Sequence, residues 1–135
     1  MIRRHYIFTA LFILVIFFGV ACSDDTPANV SVDGAIIETG LEVDEEFRVL
    51  TPQTTFKANQ DFYFSFFNNA MFDSDRLTVQ LVDGNSDSVL AEHTYEVDPT
   101  ETHLTDGIFF GSPGSYLITV RINGIVRATR AVTIE

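Results

Sequence analysis

The stretch Gly114-Ser-Tyr-Leu-Ile-Thr-Val-Arg-Ile122 decides the fold. Tyr116, Ile118, Val120 and Ile122 fall on one side of it, with smaller or more polar residues between them. Successive strand side chains point to opposite faces, so this spacing predicts a β-strand with one face buried. Breakers bound it, Ser112-Pro113-Gly114 before and Asn123-Gly124 after.

The same period runs through the neighbouring segments. In Asp61-Phe-Tyr-Phe-Ser-Phe-Phe67, Phe62, Phe64 and Phe66 share one side, and Tyr63, Ser65 and Phe67 the other. Arg76 to Val82 alternates with Leu77, Val79 and Leu81 inward, and weaker runs cover 30–37, 46–50, 54–58, 89–97, 102–110 and 125–134. Turn chemistry separates them at Asn59-Gln60-Asp61, Asp83-Gly84-Asn85 and Asp98-Pro99. No amphipathic helix intervenes, so the expected architecture is an all-β antiparallel sandwich.

Asn123-Gly124 predicts a hairpin whose phases need an extra residue. A two-residue turn sets Ile122 opposite Ile125 and leaves Arg127 on the face of Val120. The better apolar phase is Val126, Ala128, Val132 and Ile134, shifted by one. A three-residue loop with a glycine-type bulge reconciles the two, and Arg130 then marks a bulge or reaches the sheet rim.

Gly114-Ser115-Tyr116-Leu117-Ile118 resembles the start of strand F in immunoglobulin-like sandwiches. The resemblance implies that Tyr116 is a structural corner whose hydroxyl bonds nearby backbone. It implies that Ile118 takes the core position that antibodies fill with cysteine, facing Phe64 or Phe66. The chain departs from antibody domains in having no tryptophan and only one cysteine.

That cysteine sits in Gly19-Val20-Ala21-Cys22-Ser23-Asp24-Asp25, after Arg3, Arg4 and the apolar run from Ile7 to Phe18. A positive start, an apolar run and small residues describe an export signal. The run resembles the signal and lipobox of bacterial lipoproteins, although glycine stands where leucine is usual, three places before the cysteine. The resemblance implies cleavage before Cys22, lipidation of its sulfur and tethering to the membrane. Ser23, Asp24 and Asp25 are similar to sorting signals for the outer membrane and the cell exterior. The expected organisation is a signal peptide over 1–21, a lipidated cysteine and short linker over 22–29, and an immunoglobulin-like domain over 30–135.

Eight basic residues face nineteen acidic ones. No basic stripe exists to displace counterions from phosphates, which argues against nucleic acid as a partner. A single cysteine excludes an intrachain disulfide or a multi-cysteine zinc site.

Candidate chemistry is sparse. Asp83, Asn85 and Asp87 place oxygen ligands at alternate positions, a weak calcium candidate, and a hairpin turn between strands is the favoured reading of the same residues. Asp73-Ser74-Asp75 is another acidic loop. His93 and His103 stand in strand-like contexts without a nearby ligand motif. Phe62, Phe64 and Phe66 belong to the core, whereas Tyr63, Phe67 and Phe72 are the off-phase or loop aromatics available for a binding surface. No cofactor is expected. The expectation is a membrane-tethered, non-enzymatic cell-envelope lipoprotein whose domain mediates protein or glycan interaction. The alternatives are an accessory subunit of a larger outer-membrane complex and, last, a hydrolase.

Overall fold

The computed structural model describes residues 29–135. Nine strands form in chain order: β1 (Val30–Ser31), β2 (Ile36–Gly40), β3 (Thr55–Phe56), β4 (Phe62–Phe67), β5 (Arg76–Asp83), β6 (Val89–Glu96), β7 (His103–Ile108), β8 (Gly114–Ile122) and β9 (Ile125–Ile134). They pair into two sheets packed face to face. One has the order β1-β9-β8-β5-β6 with β3 alongside β9, and the other has the order β2-β4-β7. In the lettering of immunoglobulin-like sandwiches, β4 and β7 take the places of strands B and E. β5, β8 and β9 take those of C, F and G, and β6 lies beside C.

The alternation read in the sequence sets which face each strand buries. Phe62, Phe64 and Phe66 meet Leu77, Val79, Ile118, Val120 and Ile122 across the interface, all nearly inaccessible. At one pole the rings of Phe56, Phe62, Phe110 and Tyr116 form a continuous stack, with successive centroids 3.8, 6.2 and 4.2 Å apart. Each fully buried phenylalanine contributes about 1.5–3 kcal/mol through the water it sheds. Tyr116 turns the corner as expected: its hydroxyl donates to the Ser112 carbonyl oxygen at 2.7 Å. Ile118 is fully buried in the same core as Phe64 and Phe66.

Three expectations change. The run over 30–37 is broken, because Asp33 and Gly34 adopt positive φ and turn the chain between β1 and β2. The run over 46–50 is no strand but part of a long loop held by one isolated bridge between Val43 and Val49. The extra residue of the last hairpin lies inside β9 instead of in its turn. Asn123 and Gly124 both have positive φ, 53° and 77°, and connect Ile122 directly to Ile125. That is the two-residue turn whose twist suits strand pairing. The ladder then slips, from Arg121 opposite Val126 to Val120 opposite Ala128, so Arg127 is the bulged residue. Its guanidinium reaches Asn68 Oδ1 at 3.2 Å and lies 3.6 Å from Asp33. Arg130 keeps regular register opposite Ile118.

The expected signal peptide at 1–21, Cys22 and the sorting residues Ser23, Asp24 and Asp25 lie outside the described residues.

Candidate functional site

The outward face of the three-stranded sheet carries the off-phase residues of β4. Register places Ile36, Phe67 and His103 in one row, Glu38, Ser65 and Thr105 in the next, and Gly40, Tyr63 and Gly107 in a third. This face is not bare. The loop over 41–53 folds back across it as a strap.

Gly40 lets the strap close. A Cβ there would stand 2.5 Å from Val49 Cγ1 and 2.9 Å from the Thr51 carbonyl oxygen, so only glycine allows this approach. The strap is tied at its return, where Gln53 N–H donates to the Thr39 carbonyl oxygen at 2.8 Å. Its tip is a tight turn organised by Asp44, whose Oδ1 accepts the N–H groups of Glu46 and Arg48 at 2.8 and 2.9 Å. Side chains of this kind commonly bond the backbone two residues on in turns.

At the tip Phe47 has φ of 60°, a conformation that bulky residues adopt only when their surroundings impose it. The imposing groups are on the sheet. Its carbonyl oxygen accepts from Thr105 Oγ1 at 2.7 Å and from Ser65 Oγ at 3.0 Å. Ser65 is fully buried beneath it. With the Thr105 hydrogen spent on that carbonyl, the 2.6 Å contact of His103 Nε2 with Thr105 Oγ1 assigns Nε2 as the donor. Burial holds the His103 imidazole below its ordinary range. The Phe47 carbonyl opposes that shift, and the nearby Arg48 charge adds to it.

Two aromatics anticipated as binding residues belong to this face. Phe67 stacks on His103 with centroids 4.6 Å apart and planes 4° from parallel, and Arg48 lies 6.0 Å over the Phe67 ring. Tyr63 stands between Gly40 and Gly107 and is 37% exposed. Phe72 does not join them. It is buried and stacks on Phe66 at 6.0 Å, so the loop after β4 sends this ring into the core.

The same clamp pushes other apolar groups outward. Phe47 is 62% exposed, Leu50 55% and Leu41 39%. Glu42, Asp44, Glu45 and Glu46 surround them in the strap. Comparison of the chain with family models and with curated proteins gives no match. The site is therefore read from its own chemistry. The hydroxyls of Ser65 and Thr105 are spent on a backbone carbonyl and act as a clamp. The groups offered to solvent are apolar side chains within an acidic rim, a surface suited to contact.

The remaining sites resolve more simply. Asp83 Oδ1 accepts the N–H groups of Asn85 and Ser86 at 2.8 and 3.0 Å, bonds that hold its carboxyl below the usual carboxylate range. Asp87 adopts positive φ, and its N–H donates to the Asp83 carbonyl oxygen. The three residues thus build the β5–β6 turn. Among the described residues no group of three or more His, Cys, Asp or Glu side chains is arranged to hold a metal ion.

Phe47, Ser65, Thr105 and His103 escaped the sequence reading as a unit. They come from three separate segments, and only the lone aromatic inside Asp44-Glu-Glu-Phe-Arg48 hinted at a special position.

Proposed function

We propose that this chain is a membrane-tethered, non-enzymatic envelope lipoprotein whose sandwich binds a protein or glycan through its strapped face. The tether rests on Cys22 and the signal-like residues before it. Two or three acyl chains would moor the domain durably, where one would not.

The observation that carries the binding role is the conformation of Phe47. A bulky residue in the left-handed region costs free energy, and such strain collects at functional sites. Here the sheet supplies two hydroxyls to maintain it, and the outcome is an aromatic ring held in water. A residue whose backbone is fixed in advance has less entropy to lose on contact, and exposed aromatics are favoured anchors of interfaces.

Cells making the full chain test both parts. A clickable palmitate analogue should label the wild type and leave Cys22→Ala unlabelled; equal labelling ends the tether. A photo-crosslinking residue at position 50 should give a discrete adduct that Phe47→Ala removes, whereas one at position 133, exposed on the other sheet, should give none. Adducts from both positions, insensitive to Phe47→Ala, end the proposed face.

A further inference from the structure

On the flank opposite β1 and β3 the two sheets do not match in width. β6 overhangs the three-stranded sheet: its inward residues Ala91 and His93 stay exposed, and Tyr95 is half-buried and reaches β7 through its hydroxyl. Nearly the whole of β6 is exposed on both faces. Under the overhang runs an apolar groove of about 90 Å³, with Val79, Leu81, Ala91 and Ile108 in its wall.

Among the described residues both banks of the groove are free strand edges, since there β6 pairs only with β5 and β7 only with β4. Exposed edges template pairing with another chain unless they are protected. Asp106 on β7 supplies that protection. It lies opposite Phe64, whose side chain faces the core, and so points inward as a charge on an edge strand. Its Oδ1 accepts the Gly107 N–H at 2.8 Å, and its Oδ2 accepts the Tyr95 hydroxyl at 2.6 Å from across the gap. The Gly107 N–H is thus turned away from β4 and capped by a carboxylate.

Charge selects the occupant. Asp106 closes the groove, and neither β6 nor β7 contains a lysine or arginine, whereas β6 adds the carboxylates of Glu92 and Glu96 to this flank. A second copy would bring its own acidic edge against this one, and like charges in facing strands destabilise pairing. We propose that the open flank takes an extended strand of another protein, carrying a lysine or arginine where it meets Asp106. The incoming cation draws the Asp106 carboxylate off the Gly107 N–H, and the freed N–H then pairs with the backbone of the arriving strand. Alternate apolar side chains of that strand fill the groove beneath Ala91 and Leu81. Backbone pairing supplies the affinity and the cation the selectivity, as in other strand-addition complexes. This surface is distinct from the strapped face.

The test uses the full chain in detergent micelles and two fluorescent eight-residue peptides of alternating Thr and Val, identical except for a central Lys or Gln. Anisotropy should show the Lys peptide binding about tenfold or more tightly than the Gln peptide, as expected for a charge-assisted pair. It should also slow amide exchange over residues 103–108. In Asp106→Ala the preference should vanish. Gly107→Pro, which removes the edge N–H without touching the β4 ladder, should bind neither peptide while melting as a folded chain. Failure of the wild type to bind the Lys peptide overturns the proposal. So do equal binding of both peptides by the wild type, a preference that survives Asp106→Ala, or unprotected amides at 103–108.

Discussion

The two flanks of the sandwich are finished in opposite ways. On one, the edge strand β9 is covered by β1 running antiparallel and by β3 running parallel, and Asn29 Oδ1 accepts the Ala131 N–H at 3.1 Å. On the other, β6 and β7 face each other with open edges, joined by the Tyr95–Asp106 hydrogen bond. The closed flank uses short pieces of chain to satisfy backbone and to plant Phe56 in the core. The open flank uses one charge and one hydroxyl. Protection by backbone is permanent, whereas protection by a side chain can be withdrawn by a competitor for the same carboxylate.

That contrast is open to attack. The largest loss is expected on the closed flank: Phe56→Ala removes a buried ring stacked on Phe62 and should cost about 3–5 kcal/mol in urea unfolding. Tyr116→Phe, at the same pole, leaves the Ser112 carbonyl oxygen without its donor and should cost about 1–2 kcal/mol. Tyr95→Phe on the open flank should cost about 1 kcal/mol or less. It loses a partly exposed bond, but one whose burial and acceptor carboxylate push the phenol pKa well up. Its clearer signature should be faster exchange of the Gly107 amide. Leu90→Lys at the bulge of β6 should change stability by no more than about 0.5 kcal/mol, because that side chain is already in water. A stability loss there as large as that of Phe56→Ala would erase the distinction between the flanks.

The smallest effect lies on the strapped face and depends on pH. The folded imidazole of His103 sits below the ordinary value of 6.5, so the unfolded chain binds its proton first as pH falls. Stability should therefore decline from about pH 6.5 down to the lowered value and level off beneath it. Burial and Arg48 drive the shift, while the Phe47 carbonyl and the charges of Glu101 and Asp44 oppose it. His103→Gln should flatten that slope in thermal melts taken across this window. The Asp83 and Asp98 carboxyls, held low by backbone N–H groups, lose their contribution at more acid pH still.

Much of the sandwich was legible because its cause is local. Alternation in β4, β5 and β8 names the buried face of each, and the corner at Tyr116 announces itself in three adjacent residues. The strap was not legible. Its hold on the sheet depends on a missing Cβ at Gly40 and on hydroxyls at Ser65 and Thr105, which come from two different strands. Phe72 misled for a similar reason: a loop aromatic carries no periodicity, so nothing nearby shows whether it turns in or out. The bulge was foreseen as a need for one extra residue. Its place at Arg127 followed from the bonds that this side chain makes with Asn68 and with Asp33 beyond the sheet.

The sequence by itself determined that the chain is built of strands, which side of each long strand is apolar, and where several of the turns fall. Steric preference and side-chain period act between near neighbours, so those properties are written residue by residue. Only the tertiary structure decided which outward face is covered, which ring is held in water and which flank stays open. Those outcomes depend on contacts between residues tens of positions apart, and the competition for one carbonyl or one carboxylate is settled only when the segments meet.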